Sequence, residues 1–134
     1  MDFDQTRYYA SQMGENLKKQ LWLLNGDFDA ARLADLKRES IEWETEFADA
    51  HTEQLRVPRP LNIDPGYLTR DKLVLASTKD RGHRIYLRDG IYAEICLKFV
   101  RDVWEPLPWT YADYRTDAYL QFCGQCRNEL PHLG

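Results

Sequence analysis

The dipeptide Asp89-Gly90 constrains the fold more than any other part of this sequence. It lies between two β-rich segments, one from His83 to Arg88 and one from Ile91 to Phe99. Asp-Gly between such segments is typical of a two-residue hairpin turn, because both positions need a backbone conformation that these residues tolerate. The sequence therefore predicts an antiparallel β-hairpin over residues 83–99, around which the remaining elements must pack.

The hairpin geometry predicts that His83 and Glu94 share a face of the sheet. With two residues in the turn, Ile85 lies opposite Glu94 and His83 lies opposite Cys96. Side chains alternate between faces, so His83 and Glu94 become diagonal neighbours, with backbones about 7–8 Å apart. A turn of three residues would move the two side chains to different faces.

Glu94 is unusual because apolar residues flank it in mid-strand, where a carboxylate needs a partner. The His83–Glu94 pair has two interpretations. It can orient an imidazole for acid/base chemistry or supply metal ligands. Alternatively, it is a structural pair on the half-exposed face of an antiparallel sheet.

The remaining pattern predicts an α+β fold, a small antiparallel or mixed sheet centred on the 83–99 hairpin and packed by two or three helices. With 134 residues, a single globular domain over 1–134 is expected. Apolar periodicity and capping residues predict helices that start at Asp4 or Thr6, at Asp27 or Asp29, and near Thr116. Further predictions are a helix over 29–49, a helix over 116–128, short strands at 21–24 and 61–63, a helix or buried strand at 73–76, and an aromatic loop over 104–111.

Composition places the chain among globular proteins of the cytoplasm. Charged residues make up 30% and hydrophobic residues 43%, which excludes a disordered or fibrous chain. No apolar run approaches the roughly 20 residues of a membrane span. The acidic start is unlike a secretory signal. We therefore expect a cytoplasmic protein that does not associate with membranes.

Charge is distributed unevenly and favours a small anionic ligand over nucleic acid. The net charge is −4, whereas residues 56–90 hold eight basic and four acidic residues, a balance of +4. Such a weakly basic middle can attract a phosphate or carboxylate group. It is too weak for a protein that binds duplex nucleic acid.

The three cysteines favour packing over chemistry. An odd number of cysteines in such a chain argues against a disulfide framework. Cys123 and Cys126 have the spacing of a redox pair or of half a zinc site. They also follow Tyr119 at helical spacing, and there is no second such pair. We therefore expect both thiols to pack in the core.

The candidate site combines the hairpin pair with nearby charged and aromatic residues. Asp64, His83 and Glu94 form the candidate catalytic set, and a divalent metal is compatible with them although the cofactor stays open. The candidate ligand-binding residues are Tyr67, Lys79, Arg84, Tyr111, Tyr114 and Arg115. Phosphate-ester or nucleotide chemistry suits this set. The alternative is a non-catalytic protein-interaction domain that uses the aromatic loop 104–114. No phosphate-binding P-loop, dinucleotide fingerprint or zinc-protease motif is present.

Several runs of sequence together resemble one known family. They are Phe3-Asp4 with Tyr8-Tyr9, the run from Asn62 to Leu68, the run from Lys72 to Asp80, the hairpin from His83 to Glu94, and the run from Pro106 to Arg115. These runs resemble the bacterial family named domain of unknown function 4416. The resemblance implies a small cytoplasmic protein without an established activity, and some members carry a GTP-binding label. Members usually begin with a further strand and helix, which implies that this chain is shortened at its N-terminus.

Overall fold

A five-stranded antiparallel sheet forms the centre of the fold in the computed structural model, which describes residues 20–24, 28–55 and 61–130. The strands are β1 (Gly66–Leu68), β2 (Lys72–Ser77), β3 (Ile85–Arg88), β4 (Ile91–Val100) and β5 (Val103–Pro106). Two α-helices accompany them, α1 (Leu33–Leu55) and α2 (Asp117–Asn128), with 3₁₀ turns at Ala30–Arg32 and Ala112–Arg115. The α+β architecture is thus confirmed, and the sheet is antiparallel throughout.

The long strand β4 lies at the centre of the sheet. β2 pairs with one of its edges, and β1 pairs with the far side of β2. The other edge of β4 is divided between two short strands. β3 pairs with its first residues and β5 with its last ones, so Leu97 has Leu73 on one side and Pro106 on the other.

The hairpin is confirmed, but its register differs from the prediction beyond the turn. Asp89 and Gly90 form the turn with φ of 54° and 79°, and Arg88 pairs with Ile91 as expected. Leu87 is then an extra residue, because Tyr86 pairs with Tyr92 and Ile85 pairs with Ala93. The predicted pairing of Ile85 with Glu94 is wrong for this reason, since a bulge moves every later pair by one position.

A second bulge, in β4, places two consecutive residues on the same face of the sheet. Leu73 pairs with Leu97 and Val74 with Ile95, so Cys96 is the extra residue. Cys96 and Leu97 consequently belong to the same buried cluster, on the face that α2 covers. Val74 lies on the opposite face, in the cluster that contains Leu33 and Ala34 of α1 and is completed by Ala76 and Ile91.

A side-chain hydrogen bond caps the start of each helical segment. The Asp29 carboxylate accepts a hydrogen bond from the Ala31 amide at the 3₁₀ turn that leads into α1, and the Thr116 hydroxyl accepts one from the Tyr119 amide in α2. α1 extends to Leu55, beyond the predicted end at residue 49. Neither described helix has the length and hydropathy that crossing a bilayer requires.

Three of the shorter predicted elements are wrong. Residues 21–24 and 61–63 form no strand. The predicted aromatic loop begins too early, because Trp104 belongs to β5, which follows a two-residue turn at Arg101-Asp102. Of the two alternatives for 73–76, the strand is confirmed. The predicted helix after Asp4 or Thr6 lies outside the described residues.

Candidate functional site

The candidate site lies at a gap in the edge of β4. β3 pairs only as far as Ala93, and β5 begins to pair at Leu97. Side chains from the loop after β5 fill the interval. The Trp109 indole N–H donates to the Ile95 carbonyl at 2.8 Å, and the Thr110 hydroxyl donates to the Cys96 carbonyl at 2.6 Å. The loop therefore satisfies backbone groups that a continuous strand would otherwise pair.

His83 lies over this gap and contacts Glu94. Its Nε2 is 2.5 Å from Glu94 Oε1, and its ring stacks on Trp109 with centroids 4.9 Å apart and planes 12° apart. An ionised carboxylate only accepts hydrogen bonds, so Nε2 carries the proton of that bond. The His83 side chain is 24% exposed, and its Nδ1 has no partner among the described residues. The pairing predicted from the hairpin is thus found, although by a different register.

Arg84 is the second partner of Glu94. Its Nε lies 3.3 Å from Glu94 Oε1, and a terminal nitrogen donates to the Ser77 hydroxyl and the Lys79 carbonyl at 3.0 Å each. The two side chains are only 5% and 6% exposed. The bulge at Leu87 explains the contact, because Arg84 directly precedes Ile85 and Ile85 pairs with Ala93. Arg84 therefore neutralises a buried carboxylate.

Asp64 lies apart from the pair. Its carboxylate accepts from the Asn62 side-chain amide at 3.2 Å and lies 4.0 Å from the buried Lys37 ammonium. It contacts neither His83 nor Glu94. In the described part of the chain, no three His, Cys, Asp or Glu side chains converge as a metal site would require.

Besides Arg84, two candidate ligand-binding residues are linked to His83 through the loops beside it. Lys79 is exposed in the loop that leads to His83, and its carbonyl is held by Arg84. Arg115 donates to the carbonyls of Thr110, Leu107 and Pro108, at 2.9, 2.6 and 3.4 Å. These bonds hold the loop that carries Trp109, so Arg115 supports the His83 ring indirectly.

The three candidate tyrosines lie in different environments. Tyr67 packs beside the α1 cluster, and Tyr111 is 56% exposed. Tyr114 is buried against Tyr119, and burial raises the pKa of its hydroxyl well above the usual value. The structure does not bring these tyrosines to His83.

Trp109, Thr110 and Ser77 are site residues that the sequence did not single out for these roles. Trp109 was expected only as part of an aromatic loop. Because each of them acts through a contact distant in sequence, local periodicity carries no signal for it. The Pro106-Leu107-Pro108 run before Trp109 is the one local indication that the edge of the sheet is interrupted there.

The cysteines pack in the core as predicted. No disulfide joins the three cysteines in the described part of the chain, and all three are buried. Burial raises the pKa of Cys123 to about 12 and also raises the pKa of Cys126. Such thiols stay protonated at neutral pH and are poor nucleophiles.

Two open grooves flank α2, and His83 lines neither of them. One lies against Leu21 and Trp22, and the other lies between Trp104 and Leu120. The candidate site thus lies apart from both grooves, over the buried pair of Arg84 and Glu94.

The comparisons with known proteins identify a family without an assigned activity. No curated protein and no solved structure matches the chain. A family model described as Domain of unknown function (DUF4416) matches residues 1–130. Since the match spans nearly the whole sequence, the chain belongs to the DUF4416 family.

Proposed function

We propose that the chain binds a small anionic ligand, such as a phosphate ester or nucleotide, through Nδ1 of His83. The observation that carries this proposal is the orientation of the imidazole. Glu94 engages Nε2 and Trp109 stacks against the ring, so the other nitrogen is left for an external group. In the protonated imidazole, Nδ1–H donates to an anion.

The surrounding charges favour a negative ligand. Arg84 already balances Glu94, so protonation of His83 adds one net positive charge to the site. The exposed loop that precedes His83 holds Lys79 and Arg81 against one acid, Asp80, and so adds one more net positive charge. A ligand with two or more negative charges matches this arrangement better than a neutral one.

The same geometry supports proton exchange with a bound ligand. When His83 is neutral and Nε2 keeps its proton, Nδ1 is a base without a partner among the described residues. Glu94 stabilises the imidazolium that would form on proton uptake. Acid/base chemistry at His83 is therefore the reaction type that we propose, with Glu94 as the positioning residue.

The test is a titration with inorganic phosphate and then a nucleoside monophosphate, followed by NMR on the histidine ring protons. We expect a saturable shift for His83 and none for His51, which lies in α1 with its ring stacked on Phe47. Ligand at a hundredfold excess over Kd would also raise stability by about 2.7 kcal/mol.

The variant His83→Ala should abolish that stabilisation, and the matched variant His51→Ala should retain it. A phosphate-dependent stabilisation that survives His83→Ala would place the ligand elsewhere. An absence of any shift with both probes would contradict the proposal.

A further inference from the structure

One part of a sheet face is left exposed beside α1 and is a candidate interaction surface. We call it the open sheet face and define it by four residues, Lys72, Ile85, Ile95 and Lys98, whose positions follow from the pairing register. Ile85 pairs with Ala93 and Ile95 pairs with Val74, both on the α1 side, and Lys72 pairs with Lys98 on the same side. α1 packs on Val74, Ala76 and Ile91 of this face and leaves Ile85 70% and Ile95 44% exposed.

The lysine pair on the open sheet face carries a net positive charge. Glu105 of β5 pairs with Lys98 on its other side and offsets one of the two lysines. Lys72 and Lys98 lie directly opposite each other on neighbouring strands. Neither forms an ion pair within the described part of the chain. Like charges at directly opposed positions destabilise a sheet, so an acidic partner would remove this penalty.

A surface of complementary chemistry lies on α1 of the same chain. From residue 39 to residue 50 its outward side carries four exposed acids and no base, and the preceding Arg38 pairs with Asp89; these acids are Glu39, Glu42, Glu46 and Asp49. Trp43 lies within this acidic stripe and is 49% exposed. The open sheet face has apolar residues beside two cations, and the acidic stripe has an aromatic residue among anions.

The two surfaces are placed so that two copies can satisfy each other. α1 and the open sheet face lie on the same side of the sheet, next to each other. A helix adds a layer about 10 Å thick, so α1 stands above the neighbouring open sheet face. When two copies are related by a two-fold axis, α1 of each copy can fill the space above the open sheet face of the other, and every contact then forms twice.

We propose that this surface mediates a symmetric dimer in which α1 of each copy packs on the open sheet face of the other. Ile85 and Ile95 receive Trp43, and the lysine pair receives the acidic stripe. This inference does not depend on the anion site at His83.

The first experiment measures the mass in solution by sedimentation equilibrium. We expect a concentration-dependent approach to twice the chain mass of 15.9 kDa. The variant Ile95→Asp should raise the dimer Kd at least about tenfold, because it places a charge at the interface centre. The control Leu23→Asp changes an apolar residue that, like Ile95, is 44% exposed, in the segment whose Leu21 and Trp22 lie against α2, and it should leave the Kd unchanged.

A mixing experiment keeps the proposal falsifiable if one variant is poorly folded. Lys72→Glu with Lys98→Glu makes both surfaces acidic. Changing all four acids of the stripe, Glu39→Lys, Glu42→Lys, Glu46→Lys and Asp49→Lys, makes both surfaces basic. Each variant alone should be monomeric, and an equimolar mixture should form a heterodimer, because the two charged surfaces then meet with opposite charges.

Several outcomes would overturn the proposal. One is a wild-type protein that stays monomeric at all concentrations, which would leave the surface to another partner. Another is a dimer that either charge reversal leaves intact, since that would place the interface elsewhere. A mixture of folded variants that fails to associate would contradict it equally.

Discussion

Glu94 lies in the middle of β4 between two hydrogen-bonding partners, the guanidinium of Arg84 and the imidazole of His83. A buried carboxylate carries a desolvation cost that only close and well-oriented partners offset. Arg84 is buried to the same degree and has its own hydrogen bonds to Ser77 and Lys79. Arg84 therefore serves stability, and the more exposed His83 is the member of the group that can meet a ligand.

This division of roles predicts the effect of Glu94→Gln on stability. The substitution keeps the side-chain shape and removes the charge, so the guanidinium of Arg84 stays buried without a counter-ion. We expect a loss of about 3 kcal/mol in the free energy of unfolding, measured by urea denaturation.

Glu105→Gln is the matched control, because Glu105 lies on the adjoining strand and forms no ion pair within the described residues. It should change stability by no more than about 0.5 kcal/mol. Equal costs for the two substitutions would mean that Arg84 and Glu94 are not coupled. The double variant Arg84→Met with Glu94→Gln should recover part of the loss, since both charges are then removed.

The sequence predicts half of this site. The Asp-Gly turn places His83 and Glu94 near each other, and the long reach of the two side chains tolerates a register error of one. The role of Arg84 is different, because it follows from a bulge at Leu87. A bulge depends on how strands pack against the rest of the fold, and the residue pattern of the hairpin alone does not encode it.

At the scale of elements, the two hairpin turns differ in how clearly the amino-acid sequence marks them. Gly90 at φ 79° suits a turn of the left-handed type, and its presence reveals the first turn. The second turn uses Arg101 and Asp102 at φ 53° and 64°, without glycine or asparagine. No turn signal marks it, which is why β5 is missed and Trp104 is assigned to a loop.

Alanine substitutions at two glycines should change the free energy of unfolding in opposite directions. Gly90→Ala places a Cβ at positive φ and should cost about 1 kcal/mol of unfolding free energy. Gly124 lies inside α2, and an added Cβ there meets nothing within 4 Å. Gly124→Ala should therefore stabilise the protein by about 0.5–1 kcal/mol.

The measurement is the urea midpoint of each variant at an unchanged m-value. Stabilisation by Gly90→Ala would show that the turn takes another conformation in solution. A loss of stability in Gly124→Ala would show that α2 is packed more closely at that position than the structure indicates.

At the scale of the molecule, one sheet joins two hydrophobic clusters. Leu73 and Val74 are consecutive residues of β2 that belong to different clusters, one beneath α2 and one beneath α1. β4 is shared in the same way through Leu97 and Ile91. Ion pairs from Arg88 to Asp35 and from Arg38 to Asp89 tie the hairpin tip to α1, and Arg88 lowers the pKa of Asp35.

Because the clusters share their strands, we expect the described sheet and both helices to unfold as one cooperative unit. Leu33→Ala creates a cavity in the cluster beneath α1, and Leu97→Ala creates one in the cluster beneath α2. Each substitution should lower the free energy of unfolding by about 2–5 kcal/mol.

Amide hydrogen exchange tests whether the two clusters unfold together. Phe99, whose N–H donates to the Asp71 carbonyl, reports on the side of the sheet remote from α1. In a cooperative unit, Leu33→Ala lowers the protection of this amide by the full loss in unfolding free energy, about tenfold for each 1.4 kcal/mol. If α1 and its cluster opened independently, the amide of Phe99 would keep its wild-type protection while the amides of α1 lost theirs, and the chain would then hold two folding units rather than one.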